Sequence, residues 1–171
     1  MNANLLSKLH ELGIEEYHLK NYKLLEQKEC RELVEAENDI FGRVQLMSSR
    51  TLFCWQKLKR AAKKDDIELQ LVSAFRSIDY QYNLIMKKLE NGEDLLTILK
   101  VNAIPGFSEH HTGNAIDLNT AGCTPLSEEF ELTPAFEWLQ RNAKTYQFSM
   151  SFPRHNNKGM IYEPWHWFCQ E

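Results

Sequence analysis

Two histidines, one aspartate and one glutamate in this chain have the types and spacing that a hydrolytic metal site requires. His110 and Asp117 lie in the stretch Ser108-Glu109-His110-His111-Thr112-Gly113-Asn114-Ala115-Ile116-Asp117, and His166 closes the unit Glu163-Pro164-Trp165-His166. Zinc that does chemistry keeps three protein ligands and leaves its fourth position to water or substrate. A nearby carboxylate that is not itself a ligand can then take a proton from that water. His110, Asp117 and His166 as ligands, with Glu163 spare, therefore predict one Zn2+ per chain and a hydrolytic reaction.

The surrounding residues suit that reading. Gly113 permits a tight turn after His110, and small Ala115 lets the chain pass close to the site without filling it. His110 and His111 point to opposite sides of an extended segment, so one of them binds the metal. His110 is assigned that role, and His111 a supporting or substrate contact. Asp117, between Ile116 and Leu118, would be costly to bury unpaired, which favours coordination of a cation. Arg76, in Ser73-Ala74-Phe75-Arg76-Ser77, has two readings: an ion pair at a strand end, or a guanidinium that binds an anion in a cleft. Trp165 and Trp167 read as packing residues that wall the site. His10, His18 and His155 read as ordinary surface or core histidines.

Elements of both kinds must position these groups. Residues 1–46 read as one or two amphipathic helices, with Leu5, Leu9 and Leu12 on one stripe, Gly13 as a stop and Glu29–Glu37 as a second short segment. Ser48 or Ser49 caps a helix through Leu52, Trp55, Leu58 and Ala62. Glu68–Phe75 alternates polar with apolar residues and reads as a strand. A helix from Ser77 or Asp79 runs through Ile85 and Leu89 to Asn91-Gly92, and Asp94–Val101 adds a short one. Pro105-Gly106 opens the loop that delivers His110, and Ala115–Leu118 enters the sheet. Thr133-Pro134 starts a helix through Phe136, Leu139 and Ala143. Phe148–Phe152 and Tyr162–Phe168 are the last strands, separated by a polar turn at 155–159. Helices of uneven length with hairpin-like spacing at the end favour an α+β fold over a doubly wound parallel sheet. The expected organisation is one domain over 1–171, with residues 1–47 a helical extension packed on a core of about 48–168.

Composition excludes several classes. Forty-three per cent apolar and 26% charged residues are ordinary for a globular domain of 171 residues. The net charge is −4, and the Lys57–Lys64 cluster alternates with Leu58, Ala61 and Ala62 as a solvated helix face does, so no nucleic-acid partner is expected. Four cysteines without CxxC spacing read as free thiols, with one or two disulfides as the alternative for an exported protein. The first 30 residues hold no apolar run longer than two, so neither a secretory leader nor a membrane span is expected. The chain reads as a cytoplasmic monomer.

The run Ser108-x-His110-x-x-Gly113-x-Ala115-x-Asp117, followed by Glu163-x-Trp165-His166, resembles the zinc D-alanyl-D-alanine carboxypeptidases related to the vancomycin-resistance enzymes. These belong to a wider group with lysostaphin-type peptidases and the hedgehog signalling domain. Ser73–Ser77 with Gln81 is similar to a third block of that family, and the likeness spans roughly residues 48–168. The resemblance implies an α+β fold around a small antiparallel sheet, and cleavage of D-amino-acid bonds in peptidoglycan stem peptides. It implies His110, Asp117 and His166 as metal ligands, Glu163 as catalytic base, and Arg76 as a substrate anchor or oxyanion stabiliser. Ser108 and Gln81 match positions that line the family's substrate pocket. Members acting on the cell wall usually carry an export signal or anchor; with neither seen here, the expected site of action is the cytoplasm, with export by another route as the alternative. The rival functions are a zinc-stabilised binding or signalling module without catalysis, an endopeptidase for peptidoglycan cross-links, and a metal-free domain.

Overall fold

The computed structural model describes residue 1 and residues 3–170. Its centre is an antiparallel sheet in the order β3-β4-β6-β5, formed by Gln70–Ser73, Ala115–Asn119, His166–Cys169 and Phe148–Met150. Alternation along the strands sorts its two faces. Ile116, Leu118, Trp167 and Cys169 join a core with Trp55 and Leu58 of helix α3 (Ser49–Lys64) and with Phe136 and Leu139 of helix α6 (Pro134–Asn142). Asp117 and His166 therefore stand on the opposite face. Leu58 is fully buried, and truncating such a residue costs about 2–5 kcal/mol.

The helices start where their caps require. Ser48 accepts from the Thr51 N–H at the head of α3, and Ser77 from the Tyr80 N–H at the head of α4 (Ile78–Glu90). Asp94 does the same for α5 (Leu95–Val101), and Thr133 for α6, where Pro134 takes the first position without losing a needed donor. Lys63 and Lys64 end α3, where cations meet the negative pole of the helix.

The N-terminal region differs from the sequence expectation. Helices α1 (Ala3–Glu11) and α2 (Glu16–Lys20) form, and the chain turns at Gly13, but Glu29–Glu37 is not helical. Leu33–Asn38 is strand β1, paired antiparallel with β2 (Val44–Ser48) in a separate two-stranded sheet. The turn between them supplies the reason: Asp39 accepts hydrogen bonds from the Phe41 and Arg43 N–H groups and from Arg43 Nε, closing a hairpin that outweighs helical propensity. Residues 1–47 are thus two short helices and most of a hairpin.

A second core joins this region to the rest. Leu5, Leu9, Leu12 and Ile14 pack with Ile85 of α4, Ile98 of α5, and Ile104 and Phe107 of the segment that precedes Ser108. The contact is tight at Gly106, where an added Cβ would lie 2.7 Å from Leu5 Cδ2. The Gln27 N–H donates to the Gly106 carbonyl at 2.7 Å, and the Cys30 N–H to the His111 carbonyl at 2.8 Å. All four cysteines are free thiols, with Cys54 and Cys169 buried and Cys30 and Cys123 half-buried. Among the described residues no helix is long and apolar enough to cross a membrane.

Candidate active site

Strand pairing brings two of the proposed ligands together. Asp117 and His166 are direct partners across β4 and β6, and Ser73 at the end of β3 stands opposite Asp117 on its other side. Strand β6 begins at His166, later than Tyr162, so Glu163, Pro164 and Trp165 form the turn that leads into it. His110 lies on a 3-10 turn, Glu109–Thr112, capped by the Ser108 hydroxyl. Gly113 ends that turn at φ 70°, a conformation suited to glycine. A Cβ there would lie 3.0 Å from both Leu33 Cδ2 and the Ser48 backbone nitrogen. The hairpin therefore presses on the bend that carries the chain from His110 into β4.

His110, Asp117 and His166 each offer a ligand atom, and these atoms lie within 4.8 Å of one another. All three residues are at most 3% exposed. His110 Nδ1 faces the Ala74 carbonyl at 2.5 Å, which places the ring proton on that nitrogen. Ala74 is held in turn by its N–H donating to Gln45 Oε1 at 2.8 Å. His110 Nε2 is left as the lone-pair nitrogen, buried, with no hydrogen-bond partner among the described residues. Burial, followed by the nearby Arg76 guanidinium, pushes His110 down to about 4, so the ring is neutral at pH 7. Its 3.3 Å approach to Asp117 Oδ2 is consequently not an ion pair. Two electron-rich atoms facing each other in a buried setting are costly unless a cation lies between them.

His166 behaves in the opposite way. Burial pulls it down, but the hydrogen bonds and charges of Asp117 and Glu109 outweigh burial and hold it up at about 10. Its Nδ1 meets Asp117 Oδ1 at 3.1 Å, and its Nε2 meets Glu109 Oε2 at 3.0 Å. Burial raises Asp117, yet the hydrogen bond from His166 and the Arg76 charge prevail and keep it ionised, well below the ordinary carboxylate range. His110, Asp117 and His166 would together hold a divalent ion. Two nitrogens and one carboxylate oxygen are a donor set that suits zinc.

Glu163 is near this group without belonging to it. Its Oε2 lies 4.0 Å from His166 Nδ1, and its carboxylate accepts no hydrogen bond from a described residue. Its backbone is pinned, with the N–H donating to Phe152 O and the carbonyl accepting from the His166 N–H. Burial pushes the Glu163 carboxyl up to about 7; the His166 charge opposes this, and Asp117 adds to it. Arg76 makes the ion pair of its first reading, with Nη2 donating to Asp117 Oδ2 at 3.4 Å, while its buried Nε has no partner among the described residues.

Arg76, Gln81, Ser108, His110, Asp117, Glu163 and His166 all line one cavity of about 270 Å³. Its apolar wall includes Phe152, Met160, Ile161 and Trp165. Trp167 is not part of that wall; it lies in the core, its Nε1 donating to Pro164 O. Gln81 Nε2 donates to Ala103 O at 2.9 Å, and its buried Oε1 has no partner among the described residues. His111 lies outside the cavity and takes a supporting contact. Its Nδ1 meets the Arg76 carbonyl at 2.6 Å and its Nε2 accepts from the Gly106 N–H, so it braces the strand end that carries Arg76. Glu109, Lys88 and Asn102 also line the cavity and were not singled out from the sequence. For Glu109 the signal was present, as a second carboxylate beside the first ligand histidine.

A family model described as D-alanyl-D-alanine carboxypeptidase (VanY) matches residues 44–169. A putative carboxypeptidase of Bacillus subtilis (strain 168), YodJ, is 38% identical over 112 residues, which cover 62% of this chain and 40% of that protein. The chain spans less than half the length of that relative. Among solved structures, the LdcB LD-carboxypeptidase superposes with a TM-score of 0.74 at 28% identity, over 86% of this chain and 74% of that one. The vancomycin-resistance D,D-pentapeptidase VanY, solved with Zn(II), shares the fold with a TM-score of 0.61 at 22% identity, over 88% of this chain and 80% of that one.

Proposed function

The chain belongs to the VanY family of D-alanyl-D-alanine carboxypeptidases, and we propose that it is a monozinc carboxypeptidase removing D-alanine from the carboxyl end of peptidoglycan stem peptides. The observation that carries this reading is the buried His110–Asp117–His166 donor set beside an unligated Glu163 whose carboxyl is raised to about 7. Zinc bound by such a set supplies Lewis acidity, polarising a carbonyl and acidifying a water molecule. Glu163 serves as the base: near neutral pH it can both accept the proton of the attacking water and return it to the leaving amine. Its carboxylate is free to do so because the fold spends only its backbone groups.

Arg76 holds the substrate's anion. Arg76 lines the cavity and its Nε–H has no hydrogen-bond partner among the described residues, and a free terminal carboxylate on the substrate matches such a guanidinium. An internal cross-link bond would present no such anion, which favours the carboxypeptidase over the endopeptidase reading. Ser108 and Gln81 add polar groups to the lining, and Trp165 and Phe152 supply an apolar side. A silent zinc module is disfavoured by Glu163, because a structural site is closed by a fourth protein ligand.

The test is incubation of the zinc-loaded protein with tetrapeptide and pentapeptide stems, reading released D-alanine by mass spectrometry. Loss of D-alanine from the pentapeptide alone marks DD specificity, and loss from the tetrapeptide marks LD specificity. Intact peptides in the presence of bound zinc would reject the proposal.

A further inference from the structure

We infer that Glu109 is a positioning residue for the metal centre, accepting the Nε2 proton of His166 so that the Nδ1 lone pair of that ring points to the metal. The inference rests on the zinc reading above and concerns how the third ligand is presented. A histidine can bind a metal through either nitrogen, and the partner of the other nitrogen decides which one. On His166 the choice is visible: Nδ1 faces Asp117 and the ligand group, whereas Nε2 is 3.0 Å from Glu109 Oε2.

Glu109 is well held for this task. Its Oε2 also accepts from Ser151 Oγ, and its Oε1 from Lys158 Nζ at 3.0 Å. Phe152 lies against the imidazole, with ring centroids 4.8 Å apart, and hinders rotation of the ring. Ring and carboxylate are 3% and 12% exposed, so water is a poor substitute acceptor. Glu109 is not a fourth ligand, because it sits on the far nitrogen of the ring from Asp117. Nor is it the base, because both of its oxygens accept hydrogen bonds whereas the Glu163 carboxylate accepts none from a described residue.

The two imidazole ligands are thereby oriented by different acceptors. A backbone carbonyl, Ala74 O, fixes His110, and a carboxylate fixes His166. A carboxylate behind a ligating imidazole raises its donor strength, and Lys158 moderates that charge. Because Glu109 is the residue before His110, one short turn delivers the first ligand and aims the last.

The experiment uses the full chain and zinc itself. Zinc affinity is measured by chelator competition for wild-type, Glu109→Ala and Glu109→Gln proteins, with circular dichroism to show that each is folded. Glu109→Ala is expected to bind zinc about 10- to 100-fold more weakly, and Glu109→Gln, whose amide oxygen can still accept, less weakly than that. Nitrogen-15 NMR of zinc-loaded wild type is expected to show a protonated Nε2 and a coordinated Nδ1 on His166. A folded Glu109→Ala protein with wild-type affinity would overturn the inference. So would coordination through Nε2 in the wild type, a measurement that needs no variant. Neither readout involves a peptide, so a protein that shows these effects but cleaves no stem would reject the proposed activity and leave the role of Glu109 standing.

Discussion

Replacing Glu163 by glutamine is expected to stabilise the metal-free protein and to disable the enzyme. The side chain is nearly isosteric and its carboxylate holds no hydrogen bond from a described residue, so little native contact is lost. What changes is the cost of burying a charge. Glu163 is raised from 4.5 to about 7, chiefly by burial. Through that window the folded protein keeps a proton that the unfolded chain has released, so stability falls as pH rises and the loss is complete above pH 7. At 1.36 kcal/mol per pH unit, the gap corresponds to about 3 kcal/mol. Glutamine carries no charge and escapes it. In EDTA at pH 8, Glu163→Gln should melt roughly 5–10 °C above the parent, and at pH 4 the two should coincide. The same variant should bind zinc normally and lose about 10²- to 10⁴-fold in turnover. Thermal melts across pH and assays on D-alanine-terminated peptides read both effects. A melting difference independent of pH, or a variant as active as the parent, would refute the reasoning.

Other outcomes follow from individual contacts. Zinc added to the metal-free protein at pH 7 should release about one proton, because His166 is held protonated by Asp117 and Glu109 and must free Nδ1 to bind; calorimetry in buffers of different ionisation enthalpy counts it. Arg76→Ala should lower kcat/KM roughly 10- to 100-fold on peptides with a free terminal carboxylate, and much less on the same peptides amidated at that end. Gly113→Ala should cost about 1–3 kcal/mol in urea denaturation, because φ is +70° and the new Cβ meets Leu33 and the Ser48 backbone at 3.0 Å. A midpoint unchanged from wild type would rule that clash out.

The convergence of His110, Asp117 and His166 was legible because residue type carries most of its meaning: a carboxylate between Ile116 and Leu118 is costly to bury without a cationic partner. Helix starts were legible for a similar reason, since Ser77, Asp94 and Thr133 are side chains that satisfy a free N–H wherever a helix begins. The pairing of Asp117 with His166 was not, because register depends on which strands become neighbours, and these are 49 residues apart. The β1–β2 hairpin was missed for want of the Asp39 turn network, which depends on Arg43 reaching back across the turn. The role of Glu109 was not legible, because a carboxylate beside a histidine has no assignable partner until the fold places His166 behind it. Trp167 looked like a neighbour of the site by sequence proximity, but alternation along β6 turns it to the other face.

The family match begins at residue 44, yet the fold does not. A protein trimmed to that point would keep every group that lines the cavity and lose the partner strand of β2, together with the leucines that rest on Ile85, Ile104 and Gly106. An unpaired strand edge and an uncovered apolar trench would both lie close to the bend that presents His110. The amino-terminal segment lines no part of the cavity, yet it covers both of these surfaces, and shortening it should yield aggregate before it yields a folded protein with weaker zinc binding.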